Sequence, residues 1–443
     1  MSLMNKYLVS VLMLIVLSMS LVPLTMTDGR NDVANQELIT EPRTPAKTYV
    51  DHDKITIDGT QDFIDQASAE GWPGLGTKES PIIISGYRIV TPGTNPIIIL
   101  NTDCYFELRD NDFSTQQTWC GIWYENNSHA VIAGNIFHHS HSGMYIVNAN
   151  DLLIENNIIH DNTACGIEIE EDMINGTIRN NIIFDTTESG IQIDEGHDTY
   201  VYNNTISRTS AHGIWMDVGS TTEIYNNTIS NPIRAGIHLG DGCTGAYVYD
   251  NIIRVAYDGF DILGDDNHVY ENVIYDSRRN GIKMDYYSAT GEYASGNEIL
   301  NNSFLNSDEY SVAIEESCSG NIFTGNDFFV SNQTNHVSDN GADNVFSKNF
   351  YDTWIGPDAD SDGYVDNPYA LNGTAENQDA LPLAEPGNPI PEGYEYVPIE
   401  MPTDTTSDTS NNDDIPPLDI IPIAIIGAVG IVLVVGIIVM KRN

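Results

Sequence analysis

The chain has 443 residues, 41% of them hydrophobic, and carries 64 acidic against 18 basic residues, a formal charge of −46. That imbalance excludes nucleic acid as a partner, since binding a polyphosphate needs cationic side chains, and favours cations or a saline medium. Most of the carboxylates read as a solvated acidic surface, and the apolar content is ample for one elongated domain with appendages.

Residues 1–25 carry Lys6 and then an apolar run from Leu8 to Val22, the pattern of a signal peptide. Residues 26–54 read as a linker. Within 55–78 the stretch Gln61 to Ala69 predicts a short amphipathic helix that caps one end of a repeated β region, because bare strand edges invite aggregation. Ile82-Ile83-Ile84 and Ile97-Ile98-Ile99-Leu100 read as the first strands of that region, 79–335.

Inside it a glycine is followed by apolar, arbitrary and apolar residues at Gly121, Gly143, Gly166, Gly190, Gly213, Gly236, Gly259 and Gly281, with Ser311 in the glycine's place once more. The period is roughly 23 residues, the mark of a solenoid. An asparagine recurs in phase, at Asn111, Asn135, Asn157, Asn181, Asn204, Asn227, Asn251, Asn272, Asn302 and Asn326. Between these beats lie short alternating runs rich in Ile, Val and Tyr, too short and too β-branched for helices. Three short strands in a coil of this length make one rung of an all-β parallel β-helix, with rungs about 4.8 Å apart. The asparagines are then expected to stack, to tolerate a left-handed bend and to hydrogen-bond up the column. The glycines are expected at a tight corner that needs positive φ.

After Asn326 the pattern decays, and 336–385 reads as the second cap. It contains Asp358, Asp360, Asp362, Gly363 and Asp366, acidic residues at alternate positions before a glycine, as in the first half of an EF-hand calcium loop. Calcium is the expected ligand of these four aspartates, although Tyr369 stands where the bidentate Glu would be and no flanking helices are predicted. A polar stalk spans 386–418. An apolar run over 419–440, followed by Lys441 and Arg442, predicts a membrane-spanning helix with a short cytoplasmic tail, 441–443. The expected layout is a cell-surface protein with an extracellular ectodomain and one C-terminal anchor. Five cysteines do not make a disulfide framework, and buried free thiols are expected; Cys104 with Cys120 is the one pairing left open. Seven Asn-x-Ser/Thr triplets, among them Asn126, Asn203, Asn226 and Asn372, are either glycosylation acceptors or by-products of the repeat.

The Gly-Ile-x-Ile corners, the Asn-Asn-x-Ile columns such as Asn226 to Ile229, and the closing stretch from Asp358 to Leu383 resemble the right-handed parallel β-helix proteins of the NosD-like, carbohydrate-binding and sugar-hydrolase group. The resemblance implies a single-stranded, right-handed solenoid. It also implies a glycan-related role or, as in the copper-related branch, metal handling. It carries over no catalytic residue.

In each Gly-Ile-x-Ile corner the apolar residues point inward and x points out. The outward column reads Trp123, Tyr145, Glu168, Gln192, Trp215, His238, Asp261, Lys283. The first five form an aromatic and polar ribbon suited to a linear polysaccharide. His238, Asp261 and Lys283 on adjacent rungs are candidates for acid–base chemistry, set against the plainer reading of a salt-bridged surface. Two residues further on, Glu170, Asp194 and Asp217 are expected to stack, and their mutual repulsion calls for a proton, a cation or splayed side chains. His138 and His160, with His139, His141 and Asp161 nearby, form a weaker metal candidate without dedicated spacing. The excursion from Tyr286 to Tyr310 is the expected roof over the outward face. The leading reading is a polysaccharide-binding or -organising surface protein; the alternatives are a calcium-assisted lyase, epimerase or hydrolase, and copper handling.

Overall fold

The computed structural model describes residues 47–287, 292–329, 336–389, 425–426 and 432–433. The expected leader, most of the stalk and most of the anchor lie outside these residues. The chain divides into two units, Met1–Glu395 and Tyr396–Asn443. In the second unit only Ile425–Ile426 and Val432–Leu433 are described, paired antiparallel as strands where the sequence predicted helix. Both pieces are β-branched or Leu-rich and suit extended backbone. Among the described residues no helix is long and apolar enough to cross a membrane.

The first unit is the expected β-helix. Three sheets of twelve, fourteen and thirteen strands run its length, here called faces A, B and C, and each rung gives one strand to each. One rung comprises Ile191–His197 on A, Tyr200–Tyr202 on B and Thr205–Thr209 on C. Successive rungs pair in parallel and in register. The interior is a set of vertical apolar columns. Ile169, Ile193, Met216, Leu239 and Ile262 stack on A; Ile178, Val201, Ile224 and Val248 on B; Ile183, Ile206, Ile229 and Ile253 on C. All are fully buried. Alternation with period two turns every second residue into this core.

The asparagines stack as expected, and their bonding explains the register. The backbone N–H and side-chain Nδ2 of Asn181 both donate to Asn204 Oδ1, each at 3.0 Å. Asn204 makes the same pair of bonds to Asn227, and Asn227 to Asn251. Each amide also donates to a carbonyl of an earlier rung, Asn204 to Ile178 O at 2.9 Å. The ladder ends on a carboxylate: Asn349 donates both its N–H and its Nδ2 to Asp379 Oδ2 at 3.0 Å.

Two local expectations need correction. The left-handed residue is not the stacked asparagine but the one before it: Asn180, Asn203, Asn226 and Asp250 have φ of 54–55°. The corner glycines are absent from the positive-φ residues. Their role is closeness: a Cβ on Gly213 would lie 2.4 Å from Ile229 Cγ2 and 2.6 Å from the Gly236 carbonyl oxygen. Glycine is required there because the C-face core and the next rung occupy the space a side chain would take.

The predicted N-terminal helix forms over Thr60–Glu70. Its Phe63 is buried edge-on against Phe106, 5.1 Å between ring centroids, so it covers the first rungs. At the other end C-face pairing runs on to Phe350–Tyr351, past 335. The five cysteines are all buried free thiols, so Cys104 and Cys120 are not bridged.

Truncating Asn204 to Ala leaves the Asn181 N–H and amide without their acceptor inside the ladder. The expected cost is about 3 kcal/mol, read by denaturant unfolding, whereas exposed Asn203→Ala should cost only the roughly 1–2 kcal/mol of placing Ala in a left-handed backbone. Asp327 is buried and accepts the N–H groups of Gly387 (3.0 Å) and Asn388 (2.7 Å). Burial pushes its carboxyl up to about 6 despite those donors. The folded state therefore holds a proton that the unfolded chain has released between about pH 4 and pH 6. The cost of ionised Asp327 is fully present above pH 6, and stability rises as pH falls through that window, by ~3 kcal/mol. Asp327→Asn should flatten that part of the stability–pH curve.

Candidate functional site

The outward column of face A forms as predicted. Cα pairing runs Trp123–Tyr145, Tyr145–Glu168, Glu168–Gln192, Gln192–Trp215, Trp215–His238, His238–Asp261 and Asp261–Lys283. Its two halves differ.

Toward the N-terminal end the column is closed by its own hydrogen bonds. Trp123 and Tyr145 lie 5.0 Å apart between ring centroids. Trp123 Nε1 donates to Glu125 at 2.9 Å and the Tyr145 hydroxyl to Glu170 at 2.6 Å. The Ser142 hydroxyl donates to Glu168. Burial pushes the Glu168 carboxyl up, opposed by that hydroxyl and reinforced by Glu170 and Glu188.

The second outward column is broken by a bulge. Val147 pairs with Glu171 rather than Glu170, so Glu170 is displaced from the expected stack. The acids still sense one another. Burial raises the Asp194 carboxyl, Asp217 and Glu170 add to the rise, and a 3.0 Å bond from Gln192 Nε2 opposes it. Repulsion is relieved by a firmer hold on a proton and by neighbouring donors. Glu170, Asp194 and Asp217 do not converge as metal ligands; among the described residues only Asp358, Asp360 and Asp366 do so, with ligand oxygens within 4.8 Å of one another. Asp362 is left out of that group, its Oδ1 accepting the Tyr364 N–H at 2.9 Å. Tyr369 is committed to the cap, its hydroxyl 2.8 Å from His336 Nδ1.

The histidine cluster also forms without converging. His138 and His160 are register partners with stacked rings 5.3 Å apart. His138 is spent on Asp112 (2.9 Å) and His139 (2.7 Å), and His160 on Asp161 (2.8 Å). The stacked rings of His138 and His160 turn their faces, not their nitrogens, toward each other.

Toward the C-terminal end the outward column opens into a groove of about 510 Å³, lined by Trp215, His238 and Asp261 from the A sheet and by His212, Arg234 and Arg279 from the turns between C and A. His238 Nδ1 donates to Asp261 Oδ2 at 3.0 Å. His212 packs beside both aromatic neighbours, 4.9 Å from His238 and 5.5 Å from Trp215 between ring centroids. Burial pushes the His212 imidazole down to about 3, with His238 adding to the fall, so it is neutral at any physiological pH. Burial raises the Asp261 carboxyl, but the hydrogen bond from His238 and the nearby Lys283 ammonium bring it below its ordinary value. Asp258 is saturated by Arg279, whose Nε lies at 2.9 Å, and by both N–H donors of Asn280. Lys283 is paired with Asp285 and does not line the groove. Burial alone would lower the Lys283 ammonium, but Asp285 holds it above the usual range; it is therefore poorly suited to act as a base.

Three buried polar atoms in this groove have no hydrogen-bond partner: His212 Nδ1, Trp215 Nε1 and Asp261 Oδ1. Buried polar atoms are nearly always satisfied, and such a cluster marks a place for a ligand or ordered water. Sequence reasoning found Trp215, His238 and Asp261 but not His212, Arg234 or Arg279. The signal for His212 was its place immediately before Gly213, where other rungs carry Ser189 or Cys165. The expected roof is a small hairpin, Tyr286–Tyr287 with Glu292–Tyr293; residues 298–305 return to faces B and C, and no described residue of the excursion lines the groove.

The family model of the right-handed beta helix region matches residues 96–253. No curated protein matches the chain. Among solved structures, the A-module of a mannuronan C-5 epimerase from Azotobacter vinelandii aligns with TM-score 0.51 and 15% identity, over 65% of this chain and 87% of that one. The catalytic domain of an α-1,3-glucanase aligns with TM-score 0.49 and 12% identity, over 75% and 68%. An alginate lyase from Paenibacillus aligns with TM-score 0.42 and 13% identity, over 66% and 99%. The fold is a right-handed parallel β-helix, and these neighbours act on polysaccharides.

Proposed function

We propose that face A binds a linear polysaccharide, with the groove at Trp215, His238 and Asp261 as its centre. The observation that carries this reading is the coincidence of an aromatic platform with three unsatisfied buried polar atoms in one concave site. A sugar offers apolar C–H faces to an indole and hydroxyls to such atoms. The register that makes the column continuous lets one polymer run along several rungs, past Gln192 and Glu168 toward Trp123 and Tyr145. In this reading the protein stands at the cell surface, with its leader at 1–25 and its anchor at 419–440, as the apolar runs there suggest.

A glycan array probed with the chain should give binding to one class of polysaccharide. Trp215→Ala should weaken it at least about tenfold, with unchanged thermal unfolding. Equal binding by Trp215→Ala and wild type would remove the groove from the reading.

Calcium at the Asp-rich loop is a separate proposal. It is supported by the motif and by the approach of Asp358, Asp360 and Asp366. Titration calorimetry should show calcium uptake that Asp360→Ala abolishes; no heat with the wild type would end the idea.

A further inference from the structure

Register separates the Asn-x-Ser/Thr triplets of this chain into two kinds. At each B–C corner a left-handed residue is followed by the stacked asparagine and then by an outward residue of face C. Asn203, Asn226 and Asn301 are three of these left-handed residues, with φ of 54–55°, and Thr205, Thr228 and Ser303 stand two further on. Where the left-handed residue is Asp110, Gly134, Asp250, Glu271, Gly325 or Lys348, the residue two further on is Asp, Ile, Val or Phe, never Ser or Thr. Threonine suits a strand as well as Ile or Val does, so a by-product of the ladder would place it after Asp or Gly as readily as after Asn.

The A–B corner repeats the coincidence. Its left-handed column from His129 to Asp343 holds one asparagine, Asn175, and the residues two further on, from Val131 to Val345, include one Ser or Thr, Thr177. The triplet at Asn126 behaves differently. Its Ser128 belongs to a face A column that also carries Ser220 and Thr244, which follow Val218 and Gly242. Asn126 is also tied into a surface amide ladder, donating to Asn101 and accepting from Asn148, each at 3.2 Å.

The four corner asparagines are exposed. Asn203, Asn226 and Asn301 make no side-chain hydrogen bond among the described residues. Asn175 donates one amide N–H to Asp151, which leaves the other available. A cavity of about 620 Å³ is lined by both Asn226 and Asn301, with Ile252 and Val273 between them, and Ile252 is 41% exposed. Sugar C–H faces laid over these aliphatic side chains would cover apolar surface that the solenoid leaves open.

We infer that Asn175, Asn203, Asn226 and Asn301 are N-glycosylation sites, and that most of the attached sugar lies on the B–C corner, the one corner that face A does not adjoin. The inference rests on the surface location read above and not on what face A binds. The donor class is an oligosaccharide linked to a lipid phosphate. The asparagine Nδ2 forms a bond to the anomeric carbon, the bond from that carbon to the phosphate oxygen breaks, the lipid phosphate leaves with the electron pair, and one amide proton goes to solvent. The remaining N–H lets Asn175 keep its bond to Asp151. Asn203 and Asn226 are one rung apart, and crowding at about 4.8 Å lets one amide of the pair carry sugar in any one molecule. Thr228 is exposed but Ser303 is buried, so transfer to Asn301 precedes closure of its rung.

The test isolates the full chain from the cells that make it and weighs peptides containing residues 126, 175, 203, 226 and 301 by mass spectrometry. Sugar mass should appear on Asn175, on Asn301 and on one member of the Asn203–Asn226 pair, with Asn126 bare. Asn203→Asp combined with Asn226→Asp should remove one oligosaccharide without loss of thermal stability, since Asp250 already occupies that column. Thr205→Val combined with Thr228→Val should do the same, since Val273 occupies the threonine column, and serine at both positions should restore the mass. Protease added to intact cells reports location. Bare amides at all four corners on a chain that the protease reaches overturn this proposal and leave the surface reading intact. Bare amides on a chain it cannot reach overturn both. Sugar on Asn126 with the corners bare overturns the assignment by register.

Discussion

Everything in this molecule depends on vertical register between equivalent turns. The buried asparagine ladder supplies it. Each amide oxygen takes two donors from the rung before, and each amide nitrogen reaches back to a carbonyl, so a slip of one residue would strand several buried polar groups at once. The glycine corners enforce the same register sterically. They admit the next rung's carbonyl and a C-face isoleucine to within distances that no Cβ could share. One column of contacts is polar and the other is repulsive, and both have a single solution.

Register then converts sequence spacing into chemistry. Residues far apart in the chain become neighbours on adjacent rungs, so His238 meets Asp261 from 23 positions away. It also forces like with like. The same stacking that builds a histidine–aspartate pair brings Asp194 between Glu170 and Asp217, and the fold answers with a bulge, a tyrosine hydroxyl, a glutamine amide and a tighter hold on a proton. In the histidine cluster, stacking works against convergence, because parallel rings point their nitrogens along parallel lines. A site can form only where a turn adds a residue from outside the column. The groove is such a place: His212, Arg234 and Arg279 come from the turns and line it together with sheet residues.

The strong negative charge of the chain acquires a local meaning in that setting. An anionic polymer is repelled by the surface at large, so any acidic substrate has to be drawn in by local cations and donors at short range. The groove is mixed in charge, lined by Arg234 and Arg279 and by Asp217, Asp241, Asp258 and Asp261, with Trp215 Nε1 and His212 Nδ1 left without partners. The Asp-rich loop lies in the C-terminal cap, among residues after 357, and shares no residue with the groove.

The amino-acid sequence by itself determined the coil, the face each side chain takes, and the order of the outward column from Trp123 to Lys283. Two superposed periods, two residues along a strand and roughly 23 along the solenoid, fix those assignments except where a bulge shifts the strand, as at Glu170. It also placed the N-terminal helix, because an apolar pair one turn apart, Phe63 and Ala67, has to face the open end of the core. Only the tertiary structure decided which column members are available. Lys283 was spent on Asp285, His138 on Asp112 and Tyr145 on Glu170 through contacts whose partners no spacing specifies. It decided the glycines' role as well, since crowding by a neighbouring rung is not a property of the local chain. And it brought His212 into the site, because turns vary in length and composition from rung to rung, and what a turn residue touches depends on the rung above it.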